Sequence, residues 1–233
     1  NSKLISSCEI INAIDYKSAI KVAVEKINTS QAHAIMKGNL TTSEILKELF
    51  KKEYAFRTNY RVSILSVFKM KNYHKLLFLT DPAINIKPDV DLKAELILNS
   101  IEYIKKFGIE KPKVGILCAT EVVNEKMQAT VDAVELTKRF SSSKDIEVYG
   151  PLAFDNAISK KAAIAKNIDS PVAGDVDLLV CDSIEQANAL YKSLTYMADA
   201  KCAGMVVGLK VPIIATSRTD AIETKIDSII LSL

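Results

Sequence analysis

A chain of 233 residues, 48% hydrophobic and 25% charged, has the profile of a folded globular protein rather than a disordered one. Its net charge of +3, with scattered lysines and no tryptophan, argues against a nucleic-acid surface while leaving small anions open. No apolar run approaches the ~20 residues that cross a bilayer, and no charged-then-apolar leader opens the chain, so neither a membrane span nor a signal peptide is expected. The cysteines Cys8, Cys118, Cys181 and Cys202 form no C-x-x-C pair, and three of them lie in strand-like apolar runs. Free thiols in a reducing, cytoplasmic setting explain that usage better than disulfides or zinc.

In chain order, a short run at 8–11 leads into a predicted helix over 16–28. A strand over 32–37 follows, then Met36-Lys37-Gly38-Asn39-Leu40-Thr41-Thr42 and a helix over 43–53. Thr41 and Glu44 have capping-box spacing, which gives Thr41 a sufficient structural reason; Lys37 and Gly38 have none as evident. Strands over 62–70 and 75–80 are close enough to form a hairpin through Lys71-Asn72-Tyr73-His74. The next helix, 91–107, carries the apolar stripe Ala94, Ile97, Ile101 and Ile104 and can stop at Gly108. A strand over 113–118, a helix over 125–140 and a strand over 146–149 come next. A helix over 156–166 then precedes the polar loop Asp169-Ser170-Pro171-Val172-Ala173-Gly174-Asp175, which feeds a strand over 177–181. The helix predicted over 184–200 places Asn188 and Lys192 on one face. Strands over 202–207 and 211–216 and a helix over 221–233 complete the chain, the last with a stripe of Ile222, Ile226, Ile229, Ile230 and Leu233.

Strands alternating with helices predict an α/β sheet, whose ligands gather at the C-terminal ends of strands. The opening without a full strand suggests a chain that begins part-way into its domain.

Metal catalysis finds no support, since His33 and His74 are isolated and no ligand cluster is spelled out. G-x-S-x-G, G-x-G-x-x-G and the Walker loop are all missing. The strongest local feature is the run from Val211 to Asp220, where an apolar strand delivers Ser217 and Arg218 immediately before a helix. A phosphate there would meet a hydroxyl, a planar guanidinium and the positive end of a helix. An arginine pairing with a surface carboxylate is the competing reading. Asp220 and Glu223 have capping-box-like spacing at that helix start.

Taken together, these residues resemble the phosphate acetyltransferase/phosphate butyryltransferase family, and their spelling is nearer its butyryltransferase branch. The matches, in family order, are Met36-Lys37-Gly38; Leu76-Leu77-Phe78-Leu79-Thr80-Asp81 with Asn85 and Pro88; and Gly150-Pro151-Leu152-Ala153 with Asp155-Asn156-Ala157. Ser170 to Asp175, Asn188 with Leu190-Tyr191-Lys192, and Val211-Pro212 with Thr216-Ser217-Arg218 follow. The resemblance implies two α/β domains with a cleft between them, of the isocitrate/isopropylmalate dehydrogenase-like type. One domain would comprise 1–111 and 210–233, incomplete at its N-terminus, and the other the inserted segment 112–209.

It further implies exchange of a short acyl group, butyryl or alternatively acetyl, between coenzyme A and inorganic phosphate, giving acyl phosphate. No permanently bound cofactor or metal is implied, and a homodimer is. Ser217 and Arg218 would be catalytic, with Lys37, Gly38, Thr41, Asn85, Asp155, Asn156, Ala173, Gly174, Asn188 and Lys192 binding substrate. The chain departs from the family pattern at Tyr149, where Asp is common, and at Ala187, where Gly is usual. Thr224 stands where the acetyltransferase branch carries an Asp assigned as thiol base, leaving Asp220 or Glu223 to substitute. A nicotinamide- and metal-dependent dehydrogenase of related fold and a non-catalytic relative are the other readings.

Overall fold

The computed structural model describes residues 8–216 and 220–232. Their order is α1 (Tyr16–Asn28), β1 (Ile35–Met36), α2 (Thr42–Leu49), β2 (Ser63–Lys69), β3 (Leu77–Thr80), α3 (Val90–Ile104) and β4 (Lys113–Leu117). Then come α4 (Gln128–Phe140), β5 (Glu147–Leu152), α5 (Phe154–Ile158), α6 (Lys160–Ala165), β6 (Leu178–Val180), α7 (Ile184–Tyr196), β7 (Lys201–Val207), β8 (Ile213–Ile214) and α8 (Ile222–Leu231). The strands form a mixed sheet in the order β1-β8-β7-β2-β3-β6-β4-β5. Its two flanks are parallel, whereas the centre (β8, β7, β2 and β3) is antiparallel. The predicted hairpin is present, with Val67 opposite Phe78.

Period-two alternation divides the core. Leu65 and Val67 of β2 and Ala203, Met205 and Val207 of β7 pack on one face with Ala94, Ile97, Ile101 and Ile104 of α3, as the stripe predicts. On the other face, Phe68 and Cys202 join residues from α5, α6 and α7. Val206 and Ile213 join α1 and α2 there. Gly108, at φ +78°, ends the single 3-10 turn that follows α3.

Several expectations are corrected. The helix expected over 156–166 is two short helices, because Ser159 is extended and caps the second by accepting from Ala162 N. The helix expected over 43–53 stops at Leu49, with a 3-10 turn over Lys52–Tyr54. The isoleucine stripe of α8 faces outward: Ile222 is 70% exposed and Ile230 64%, whereas Ser228 is fully buried. The reason is local. The Gly204 N–H of β7 donates to Ser228 Oγ at 3.0 Å, and Ser228 Oγ donates to the Thr224 carbonyl at 2.7 Å. A buried backbone donor must be paired, and that demand sets the helix's rotation against its apolar periodicity.

A cavity at the strand ends

A cavity of about 520 Å³ opens where β8 ends and stops covering β7. Lys37, Leu40, Thr41 and Thr42 line it from the turn after β1, and Ala215 and Thr216 from the end of β8. β1 and β8 run parallel, and Lys37 N donates to the Ile214 carbonyl at 3.1 Å, so both strands deliver their C-terminal ends to one place. Asn188, Tyr191 and Lys192 enter from α7, Pro82 and Ala83 from the turn after β3, and Asp220, Thr224 and Ser228 from the α8 side. Ile64 and Ser66 of β2 and Gly204 and Met205 of β7 form the inner wall.

Each of these side chains has a local cause for its place. Thr41 caps α2 in a complete capping box with Glu44, which turns the chain just after Lys37 and Gly38. Asp81 is buried and organises the turn after β3, accepting from the backbone N–H groups of Ile64, Ala83, Ile84 and Asn85. Burial pushes the Asp81 carboxyl up, against the N–H groups that hold it charged. Asn85 Nδ2 bonds Asp81 Oδ2 and the Val62 carbonyl, so that side chain serves the turn. The Pro82 carbonyl so placed accepts from Asn188 Nδ2 at 3.1 Å, joining the hairpin to α7. Lys192 Nζ lies over the rings of Tyr191 and Tyr196, at 5.3 and 5.6 Å from their centres. Its face of α7 also stacks edge-on against the core through Tyr191 and Phe68.

Lys37, Thr41, Asn188, Lys192 and Asp220, spread over most of the sequence, therefore meet around one opening. Gly38 follows Lys37 in open space, where an added Cβ would touch nothing. Asp155, Asn156, Ala173 and Gly174 lie together elsewhere, at the end of β5 and the loop before β6. There Asp155 pairs with Lys166 at 3.1 Å, and Asn156 Nδ2 bonds Glu121 at 3.2 Å. Gly174, at φ +79°, packs on the Lys160 backbone, where a Cβ would come within 2.4 Å of its Cα. That glycine is fixed by packing. Ser217 and Arg218 fall outside the described residues.

The expected cap of the last helix is corrected. Its N-cap is Ala221, with no side-chain bond to the helix, so Asp220 stands one position too early to close a capping box with Glu223. Asp220 is left facing the cavity, and Glu223 lines a smaller neighbouring one with Asp220, Tyr191 and Tyr196. Burial, first, and the charge of Asp220 push the nearby Cys202 thiol up to about 12, against the pull of the Tyr191 hydroxyl.

Sequence reasoning passed over Ser66, Gly204 and Ser228. A glycine inside an apolar strand is itself a signal of close approach or open space, and Gly204 carried it. Among the described residues no group of three His, Cys, Asp or Glu side chains gathers as a metal site, and no helix is long and apolar enough to cross a membrane.

The family model described as "Phosphate acetyl/butaryl transferase" matches residues 8–233. The chain is 40% identical to the phosphate butyryltransferase of Clostridium acetobutylicum, over 98% of its own length and 76% of that relative's. It is 38% identical to the phosphate acetyltransferase of Thermotoga maritima, over 93% of the chain and 74% of the relative. A branched-chain phosphotransacylase from Enterococcus faecalis V583 superposes with a TM-score of 0.90 at 36% identity, covering 95% of this chain and 80% of that one.

Proposed function

Since the chain belongs to the phosphate acetyl/butyryl transferase family, we propose that it catalyses acyl-CoA + phosphate ⇌ acyl phosphate + CoA, with butyryl the preferred acyl group and acetyl the alternative. A phosphate oxygen attacks the thioester carbonyl, the tetrahedral oxyanion collapses, and the C–S bond breaks to release CoA thiolate, which takes up a proton. Catalysis of this kind is positioning of two anionic partners plus stabilisation of a developing oxyanion.

The observation that carries this reading is the convergence of Lys37, Thr41, Asn188, Lys192 and Asp220 on one cavity with an apolar inner wall. The lysines supply the positive potential that CoA phosphates and inorganic phosphate require. Asn188 and Thr41 offer neutral hydrogen bonds to the pantetheine amides or the phosphate. Arg218 holds the phosphoryl group and Ser217 donates toward the carbonyl; both fall in sequence between Thr216 and Asp220, two residues of the cavity wall. Asp220 exchanges the proton of the CoA thiol.

A two-lobed, dehydrogenase-like arrangement belongs to the same proposal. Lys37, Thr41 and Asp220 come from 1–111 and 210–233, and Asn188 and Lys192 from 112–209, so closure of one lobe on the other would complete the site. The family reaction calls for no bound cofactor, and we place the enzyme in the cytoplasm as a homodimer.

The test is phosphate-dependent thiol release from acetyl-, propionyl-, butyryl- and isobutyryl-CoA. Release that peaks at the four-carbon substrates is expected. Absence of phosphate-dependent release with every one of them would remove the assignment.

A further inference from the structure

On the cavity side of the sheet, β2 presents Ile64, Ser66 and Phe68, and β7 presents Cys202, Gly204 and Val206. The register sets Ser66 directly opposite Gly204, between the larger pairs Ile64–Val206 and Phe68–Cys202. The cavity exists at this point because the two smallest neighbours on that face are paired. Ser66 is 1% exposed, so this is its deep end. Thr41, Ala83 and Asn188 are exposed and lie at the mouth.

Gly204 is not required by its backbone, which has no positive φ. Nor is it required by crowding: an added Cβ would have Ser66 Oγ at 3.4 Å, the Leu65 carbonyl oxygen at 3.5 Å and Ser66 Cα at 3.8 Å as its nearest neighbours. Those are ordinary van der Waals contacts, and all three atoms belong to β2. A side chain there would fit the fold and take its volume from the cavity floor. Ser228 Oγ, which bonds both Gly204 N and the Thr224 carbonyl, closes the edge of that floor.

We propose that Gly204, with Ser66 across from it, sets the length of acyl chain the enzyme accepts, by leaving the floor one side chain deep. The phosphates stay with the lysines near the mouth, and the acyl tail runs inward between Ile64 and Ala215. This rests on the acyl-transfer reading above.

The experiment compares kcat/KM for acetyl-, butyryl- and pentanoyl-CoA in the wild type, Gly204→Ala and Ser66→Ala, with melting curves for all three. Gly204→Ala should fold with an unaltered melting transition and lower the butyryl-to-acetyl ratio roughly 10-fold or more, the discrimination a methylene commonly carries in an apolar pocket. Ser66→Ala, which removes one oxygen from the same floor, should move preference the other way, toward pentanoyl-CoA. Unchanged chain-length ratios in both variants, whatever the absolute rates, would overturn the role of the floor while leaving the reaction assigned. A Gly204→Ala protein that does not fold, with ratios unmoved in Ser66→Ala, would overturn it too. A wild type inactive on all three substrates would overturn the reaction itself and this inference with it.

Discussion

Asp220 lies one residue before the N-cap of α8 and lines the cavity, so its replacement tests the chemistry without removing a helix cap. Asp220→Asn removes the charge and the proton-accepting ability while keeping the shape. Because Asp220 is not the cap of α8, the protein should still fold with a cooperative melting transition. Turnover should fall roughly 100-fold or more if this carboxylate handles the thiol proton. Wild-type kcat with unchanged folding would strip Asp220 of that role. Lys93 makes a different case, a charge enclosed by two carboxylates away from the cavity lining. It is buried on α3, with its Nζ 2.7 Å from Asp132 of α4 and 2.5 Å from Asp182 after β6. Burial works against its charge, but both carboxylates outweigh that and raise its pKa. Lys93→Ala would strand Asp132 in the interior. A loss of about 3–5 kcal/mol in chemical denaturation is expected, since breaking a buried pair costs more than the pair contributes.

At the scale of elements, the loop before β6 is tied to the hairpin and to β4 by one carboxylate. Asp175 meets Lys113, Lys75 and His74. Burial alone would raise its pKa, but these partners together hold the carboxyl far below the usual 3.8. A depressed folded-state pKa means the contribution is complete above 3.8 and is lost as pH falls below it toward the folded value. Asp175→Asn should therefore melt lower than the wild type at pH 7. The difference should shrink steadily in melts taken from pH 4 downward. A gap independent of pH would show that packing, and not the charge, holds the loop.

The elements themselves were legible because apolar periodicity is local. Every strand expected from 32 to 216 has a counterpart, and α1 spans the expected residues. The orientation of α8 was not legible. The isoleucines predicted a buried stripe, but the Gly204 N–H, which β8 does not reach, is paired instead by Ser228, which turns inward. Leu233 lies outside the described residues. That donor becomes unpaired only when β8 turns away, a tertiary event. The helix break at Ser159 was likewise hidden, since neither Gly nor Pro marks it.

Across the whole molecule, distance in sequence decided what could be read. Lys37, Asn188 and Lys192 drew notice because their local patterns resemble those of the family, and they do share a cavity. Ser66 and Gly204 each look unremarkable alone and acquire meaning only when the antiparallel register places them face to face. The Lys93 triad joins residues 39 and 89 positions apart, and no spacing rule reaches that far.

The buried thiols bear on a different matter, the compatibility of a catalyst with its own product. An acyl phosphate is an efficient acylating agent, and a thiolate is the protein nucleophile it would most readily modify. Cys202 is adjacent in β7 to the strand segment that lines the cavity, yet burial and the Asp220 charge keep it in the unreactive thiol form, with a pKa near 12. Cys118 is held near the same value by burial, and burial pushes Cys181 higher still. Intact-protein mass spectrometry after incubation with butyryl phosphate should show no adduct on these three residues in the folded enzyme. Adducts should appear on them once the chain is unfolded in denaturant at mildly alkaline pH. A strand of the sheet thus doubles as chemical insulation: the carboxylate assigned to the substrate's thiol proton also suppresses the ionisation of the protein's own.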